Sequence, residues 1–92
     1  MLYCVQMDVN IPRDIDLETV EAIKAAEKQR AIELQKAGKW PHLWRVVGQY
    51  SNVSILDAES NDELHQILSS LPLFPFMTIK VTPLAKHPSS IF

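Results

Sequence analysis

The sequence has little cysteine and glycine and no large excess of charge of either sign, and each of these shortages excludes a class of protein. Among 92 residues, Cys4 is the only cysteine, and Gly38 and Gly48 are the only glycines. One cysteine cannot form an intramolecular disulfide, and two isolated glycines cannot build a phosphate-binding loop. Nine lysines and arginines stand against eleven aspartates and glutamates, with no basic run, so no footprint for nucleic acid is present.

Long hydrophobic runs and metal-binding patterns are missing as well. No apolar stretch reaches the roughly 18 residues of a membrane span, and Met1–Met7 lacks the basic residues of a secretion signal. We therefore expect a cytoplasmic protein with no membrane partner. No histidine pair has ligand spacing, and no nucleophile elbow is present, so we expect neither a metal, nor an organic cofactor, nor a covalent intermediate.

Hydrophobic periodicity predicts two helices and four strands. Apolar residues alternate over Tyr3–Ile11, as in a half-buried strand that Pro12 ends, and good helix formers follow from about Leu17 to Ala37. The remaining expected elements are a hairpin of strands His42–Tyr50 and Val53–Asp57 joined by Ser51-Asn52, a helix from the capping box at Ser60 to Leu71-Pro72, and a strand over Met77–Thr82.

The order βαββαβ is that of a ferredoxin-like α+β domain, in which a four-stranded antiparallel sheet carries both helices on one face. We expect one such domain over residues 1–92. The other face of the sheet then needs cover, and a chain of this length buries little surface by itself. We therefore expect a homo-oligomer in which the tail, about Pro83–Phe92, contacts a neighbouring subunit.

Glu27 is the candidate catalytic base. It falls in the middle of the apolar stripe of the first helix, which consists of Leu17, Val20, Ile23, Ala31 and Leu34. In a pocket between helix and sheet, desolvation would raise the pKa of this carboxyl toward the range useful for a general base. The alternatives are that its side chain reaches solvent or that an arginine pairs with it structurally.

Other polar and aromatic residues are candidates to bind a small acid. Arg45 points to the opposite face from Trp44, so it binds either an anion in the helix-covered cavity or a partner subunit. Lys24 is an alternative anion binder or a solvated lysine. His42 either donates to a substrate oxygen or is exposed. Trp44 and Tyr50 are candidate walls of a substrate pocket, although aromatic residues of small domains more often belong to the core.

Several of these residues together resemble the muconolactone isomerase family of bacterial catechol breakdown. The resemblance runs from Met1 to Ile91 and rests on Glu27 in its helix, Trp40-x-His42-Leu43-Trp44-Arg45, Leu71-Pro72-Leu73-Phe74-Pro75 and His87-Pro88-Ser89-Ser90. It implies a ferredoxin-like fold, a large closed homo-oligomer, with a decamer expected, and sites between subunits. It also implies a lactone carboxylate substrate, isomerised from muconolactone to 3-oxoadipate enol-lactone.

The chemistry of that reaction suggests a role for each candidate. Glu27 would remove the ring proton γ to the lactone carbonyl, His42 would donate to the carbonyl oxygen, and Arg45 or Lys24 would bind the carboxylate. A sister activity, 5-chloromuconolactone dehalogenase, would eliminate HCl with the same base. It stays open because Gln49 replaces a histidine of some members and the polar tail is shorter. An alternative of another class is a non-enzymatic oligomer that binds a small acid.

Overall fold

A four-stranded antiparallel sheet and two helices make up the computed structural model of the protein, which describes residues 1–92. In chain order the elements are β1 (Leu2–Val9), α1 (Leu17–Lys36), β2 (His42–Arg45), β3 (Ser51–Asp57), α2 (Asn61–Ser69), a short 3-10 helix (Phe74–Phe76) and β4 (Met77–Leu84). The strand order is β2-β3-β1-β4, and the predicted ferredoxin-like α+β architecture is confirmed. None of the helices is long and apolar enough to span a membrane.

The central strand β1 determines which side chains enter the core. Its residue Val5 lies opposite Ser54 of β3 and Val81 of β4. Directly opposed residues of antiparallel strands share a face, so the alternation predicted for β1 places Tyr3, Val5 and Met7 together on the helix-covered side, where all three are fully buried. From α2, the core receives Leu64, Ile67 and Leu68.

Helix α1 is anchored mainly at its C-terminal end. Asp16 caps its N-terminus by accepting a hydrogen bond from Thr19 N–H, and Gly38, with a φ of +76°, ends it. Leu34 is the one buried residue of α1, whereas Leu17, predicted to lie on the buried stripe, is 74% exposed. The helix therefore contacts the core at one end and leaves space over the sheet along the rest of its length.

The hairpin between β2 and β3 differs from the prediction. Strand β2 ends at Arg45 instead of Tyr50, and Ser51-Asn52, predicted to be the turn, begins β3. The chain turns over 46–50 instead, because Gly48 adopts a φ of +79° and Val46 N–H donates to Ser51 O at 3.0 Å. The correction moves Tyr50 from the last position of a strand to the end of a turn.

The C-terminal segment is shorter than predicted. Pro83 and Leu84 belong to β4, where they lie opposite Tyr3 and Leu2, so the segment beyond the sheet begins at residue 85. Proline is tolerated there because β4 is an edge strand, whose outer side donates no ladder hydrogen bond. At the end of the chain, Phe92 is 99% exposed.

Candidate active site

A cavity of about 570 Å³ lies between α1 and the helix-covered face of the sheet. Helix α1 contributes Lys24 and Glu27, the hairpin contributes Arg45 and Tyr50, and the segment after α2 contributes Leu73. Its apolar walls come from β1, α1, β2 and β4, through Met7, Val9, Ala31, Ile32, Leu43 and Met77. The space that α1 leaves over the sheet is thus apolar with a few polar groups, as is typical of small-molecule sites.

Glu27 is held at this cavity by a backbone hydrogen bond. Its Oε1 accepts from Leu73 N–H at 2.8 Å, which ties α1 to the turn that follows α2. Desolvation by burial raises the pKa of the half-buried Glu27 carboxyl, and the Leu73 hydrogen bond partly opposes that rise. No arginine pairs with Glu27, because the chain's salt bridges are Met1–Asp57, Arg30–Glu33 and Lys39–Glu63.

Three cations line the same cavity: Lys24 and Lys28 come from α1, and Arg45 comes from the end of β2. Two of them lie over the ring of Tyr50: Lys24 Nζ is 5.5 Å and Arg45 Cζ is 5.4 Å from the ring centroid. None of the three cations forms a salt bridge within the chain. The cavity therefore combines one carboxylate of raised pKa with three cations that have no carboxylate partner.

The structure does not bring His42 and Trp44 to this cavity. His42 lies opposite Ile55, and Trp44 lies opposite Val53, on the face of the sheet away from the helices. Trp44 is 66% exposed, and neither residue lines the cavity. The alternation of side chains that directs Arg45 inward directs both neighbours outward, so within one chain they cannot share a site with Glu27.

Two features of the cavity were missed by sequence reasoning. One is Leu73 N–H, a backbone donor that no side-chain pattern reveals. The other is Trp40, which lines the cavity, is almost fully buried, and has an Nε1–H without a hydrogen-bond partner. Its place after Gly38 at the end of α1 was the available signal.

The arrangement is suited to proton transfer on a small anion. A carboxylate whose pKa is raised by burial can remove a proton from carbon, and nearby cations can stabilise the negative charge that develops on oxygen. No three His, Cys, Asp or Glu side chains of the chain are grouped so that they could hold a metal ion. The polar groups available in the cavity are therefore Glu27, the three cations, Tyr50 and a few uncharged donors.

Comparisons with known proteins agree on one family. A family model described as muconolactone delta-isomerase matches residues 1–90. The chain is 62% identical to Muconolactone Delta-isomerase 1 of Acinetobacter lwoffii over 91 residues, which cover 99% of this chain and 95% of that protein. It is also 62% identical to Muconolactone Delta-isomerase of Cupriavidus pinatubonensis, with 99% of each chain covered. A crystal structure of muconolactone isomerase has a TM-score of 0.94 and 48% identity, covering 100% of this chain and 96% of that one.

Proposed function

This chain belongs to the muconolactone delta-isomerase family, and from that membership we propose that it isomerises muconolactone in its α1–sheet cavity, with Glu27 as the base. The observation that carries the assignment of the base is the position of Glu27, half-buried at an apolar cavity with a raised pKa. The substrate is a lactone carboxylate of bacterial catechol degradation. The product is 3-oxoadipate enol-lactone.

The reaction moves one proton and one double bond. Glu27 removes the ring proton γ to the lactone carbonyl, and the electron pair of the broken C–H bond spreads through the ring to the carbonyl oxygen. The resulting dienolate then takes up a proton at the α carbon. Because no atom is gained or lost, Glu27 can return the proton that it removed, and the enzyme ends the cycle as it began.

The environment of Glu27 suits both halves of this cycle. Burial raises its pKa, so the carboxylate is a stronger base than one in water, and its conjugate acid is available for the return step. The Leu73 N–H bond at 2.8 Å occupies Oε1 and orients the carboxyl group. Oε2, the other oxygen of the carboxylate, is the one we assign to the proton transfer.

Lys24 and Arg45 are the cations that we assign to the substrate's acetate side chain. The positive charge of the cavity, to which Lys28 also contributes, favours the enolate oxygen as negative charge develops there. These cations line the cavity with Glu27, which makes them better placed than His42 to serve the carboxylate and the enolate oxygen. Tyr50 forms part of the wall beside them.

We further propose a homo-oligomer, with the decamer implied by the family resemblance. The helix-free face of the sheet carries Trp44 together with Val53, Ile55 and Cys4, and the tail ends in exposed Ile91-Phe92. A second copy of the chain would remove this apolar surface from water. In such an assembly, His42 and Trp44 act at an interface between subunits.

The test of the base is Glu27→Gln, which preserves size and hydrogen bonding but removes the proton acceptor. We expect turnover of muconolactone to fall by roughly 10²-fold or more while the protein stays folded. Product formation is followed by the change in ultraviolet absorption, and the fold by circular dichroism. The matched control is Glu21→Gln, an exposed acid of the same helix outside the cavity, which should keep normal turnover.

The same assay separates the three candidate functions. Release of chloride from 5-chloromuconolactone without isomerisation of muconolactone would identify a dehalogenase. Binding of both compounds without any product would identify a binding protein. A folded Glu27→Gln protein with nearly normal turnover would eliminate Glu27 as the base.

A further inference from the structure

We infer that Tyr50 is a positioning residue whose ring holds Lys24 and Arg45 as a pair of cations for the substrate carboxylate. The inference rests on the proposed function, because it concerns the binding of that substrate. The positioning role of Tyr50 differs from a role as a pocket wall in one respect. A wall contacts the ligand, whereas the proposed role acts through the two cations.

The geometry joins three separate parts of the chain at one aromatic ring. Lys24 comes from the middle of α1, Arg45 from the last position of β2, and Tyr50 from the end of the turn before β3. The distances of 5.5 Å and 5.4 Å from the cations to the ring centroid lie within the limit of about 6 Å for a cation–π interaction. One ring thus contacts two of the three cations that line the cavity.

The two cations benefit from such a partner because neither forms a salt bridge within the chain. They carry like charges, and neither has a carboxylate within salt-bridge distance. Both side chains are long, and unrestrained they would lose several rotamers when a ligand binds. The negative face of the tyrosine ring attracts both cations and reduces this freedom before the substrate arrives.

Tyr50 is itself held by the backbone. Its carbonyl oxygen accepts a hydrogen bond from Val9 N–H at 2.9 Å, which fixes the end of the turn to the central strand β1. Arg45 Nη1 also donates to Gln49 O at 3.5 Å, so the guanidinium is tied to the same turn. The backbone that carries the ring is therefore fixed relative to the sheet. Through the cation–π contact, the ring can restrict the conformations of the Lys24 side chain on the opposite wall.

The arrangement predicts the substrate class that the cavity selects. A carboxylate has two oxygens and can accept hydrogen bonds from both cations at once, whereas an amide or ester gains much less from their charge. The lactone ring of the bound substrate would then extend along the apolar wall toward Glu27. Tyr50 should therefore matter for ligands that carry a carboxylate and should matter little for neutral lactones of the same shape.

Tyr50→Leu and Tyr50→Phe separate the ring from the hydroxyl. In Tyr50→Leu, which lacks the ring, we expect KM for muconolactone to rise about five- to tenfold and kcat to change less than about twofold. In Tyr50→Phe, which keeps the ring, we expect KM to stay within about twofold of the parent value. Val47→Ala, in the same turn but 94% exposed and outside the cavity, is the matched control. Tyr50 is partly exposed, and circular dichroism verifies that each variant is folded.

Equilibrium binding makes the test independent of turnover. The probe is the saturated lactone acid made by hydrogenating muconolactone, which has no ring double bond to move, with its carboxamide as the neutral counterpart. By calorimetry, Tyr50→Leu should weaken the acid about five- to tenfold and the amide less than about twofold. In the backgrounds Arg45→Met and Lys24→Met, Tyr50→Leu should reduce the affinity for the acid by a smaller factor, because the ring then acts on one cation only.

The outcomes distinguish this inference from the proposed function. Equal losses for acid and amide, or equal losses in Tyr50→Leu and Tyr50→Phe, would show that Tyr50 contacts the ligand directly, and the positioning role would be wrong. Unchanged binding of the acid in Tyr50→Leu would also overturn it. Selective loss of acid binding in a protein that never isomerises muconolactone would retain the positioning role and reject the catalytic function.

Discussion

At the scale of single residues, Glu27 shows how a catalytic requirement opposes stability. Its pKa is raised in the folded protein, so folding favours the protonated carboxyl, and the charged form carries a desolvation cost at neutral pH. The Leu73 N–H bond offsets only part of that cost. A stronger base is thus obtained from a less favourable burial, as expected for a functional site.

The cost should be visible in the stability of Glu27→Gln. Because the folded-state pKa is raised, the destabilisation by Glu27 is absent below the ordinary carboxyl pKa of about 4.3 and develops as pH rises through the raised value. At pH 7 the variant should therefore melt at the same temperature as the parent or higher, and the difference should shrink at pH 4. Thermal melts at both pH values test this. A lower melting temperature at both pH values would mean that the carboxylate stabilises the fold.

At the scale of elements, the site depends on where α1 and the β2–β3 turn are placed. Helix α1 contacts the core through Leu34 near its C-terminal end, which leaves room for the cavity beside Lys24 and Glu27. The turn at Gly48 then carries Tyr50 to the cavity and ends β2 at Arg45. The two glycines of the chain thus end the two elements that define the opposite walls.

Alanine substitution of these glycines separates stability from function. Gly48 and Gly38 have φ values of +79° and +76° and no atoms within 4 Å of an added Cβ, so the cost in each case is conformational. We expect Gly48→Ala and Gly38→Ala each to lower the free energy of unfolding by about 1–2 kcal/mol in urea titrations. Only Gly48→Ala should also raise KM for muconolactone, since it shifts Tyr50 and Arg45. An equal effect of both variants on KM would contradict this account of the turn.

At the scale of the whole molecule, one face of the sheet lacks cover. Both helices pack on the side of Tyr3, Val5 and Met7, and the opposite side presents Trp44 with its neighbours Val53 and Ile55. An exposed apolar group of this kind marks an interaction surface. The family membership and this surface together support the proposed homo-oligomer.

A charge at Trp44 tests whether this face is the contact between subunits. Trp44→Asp would place an unpaired carboxylate in an apolar interface. The free energy of burying this charge should weaken the association of the subunits. We expect light scattering to give a smaller particle mass for this variant than for the parent. Val47→Asp, which introduces the same charge on the exposed turn, should keep the parent mass. A parent protein that is monomeric at micromolar concentration would reject the proposal itself.

The sequence by itself determined the features that depend on near neighbours along the chain. Alternation in β1, the caps at Asp16 and Ser60, and the spacing that puts Lys24 and Glu27 one helical turn apart all follow from local geometry. The split order of strands and helices then restricted the fold to few arrangements. For that reason the fold class, the place of Glu27 on the cavity side of α1 and the opposite directions of Arg45 and Trp44 could be predicted.

Only the tertiary structure decided which of these groups meet. The bond from Leu73 N–H to Glu27 joins residues 46 positions apart, and the Tyr50 ring reaches Lys24 across the cavity, so no local pattern encodes either contact. The hairpin was misplaced because β-rich residues continue past Arg45, whereas the left-handed Gly48 determines where the chain turns. Tyr50 ends this turn, and its ring centroid lies 5.5 Å from Lys24 Nζ and 5.4 Å from Arg45 Cζ. His42 and Trp44 were separated from Glu27 for a related reason: a face becomes inner or outer only when the helices pack on one side of the sheet.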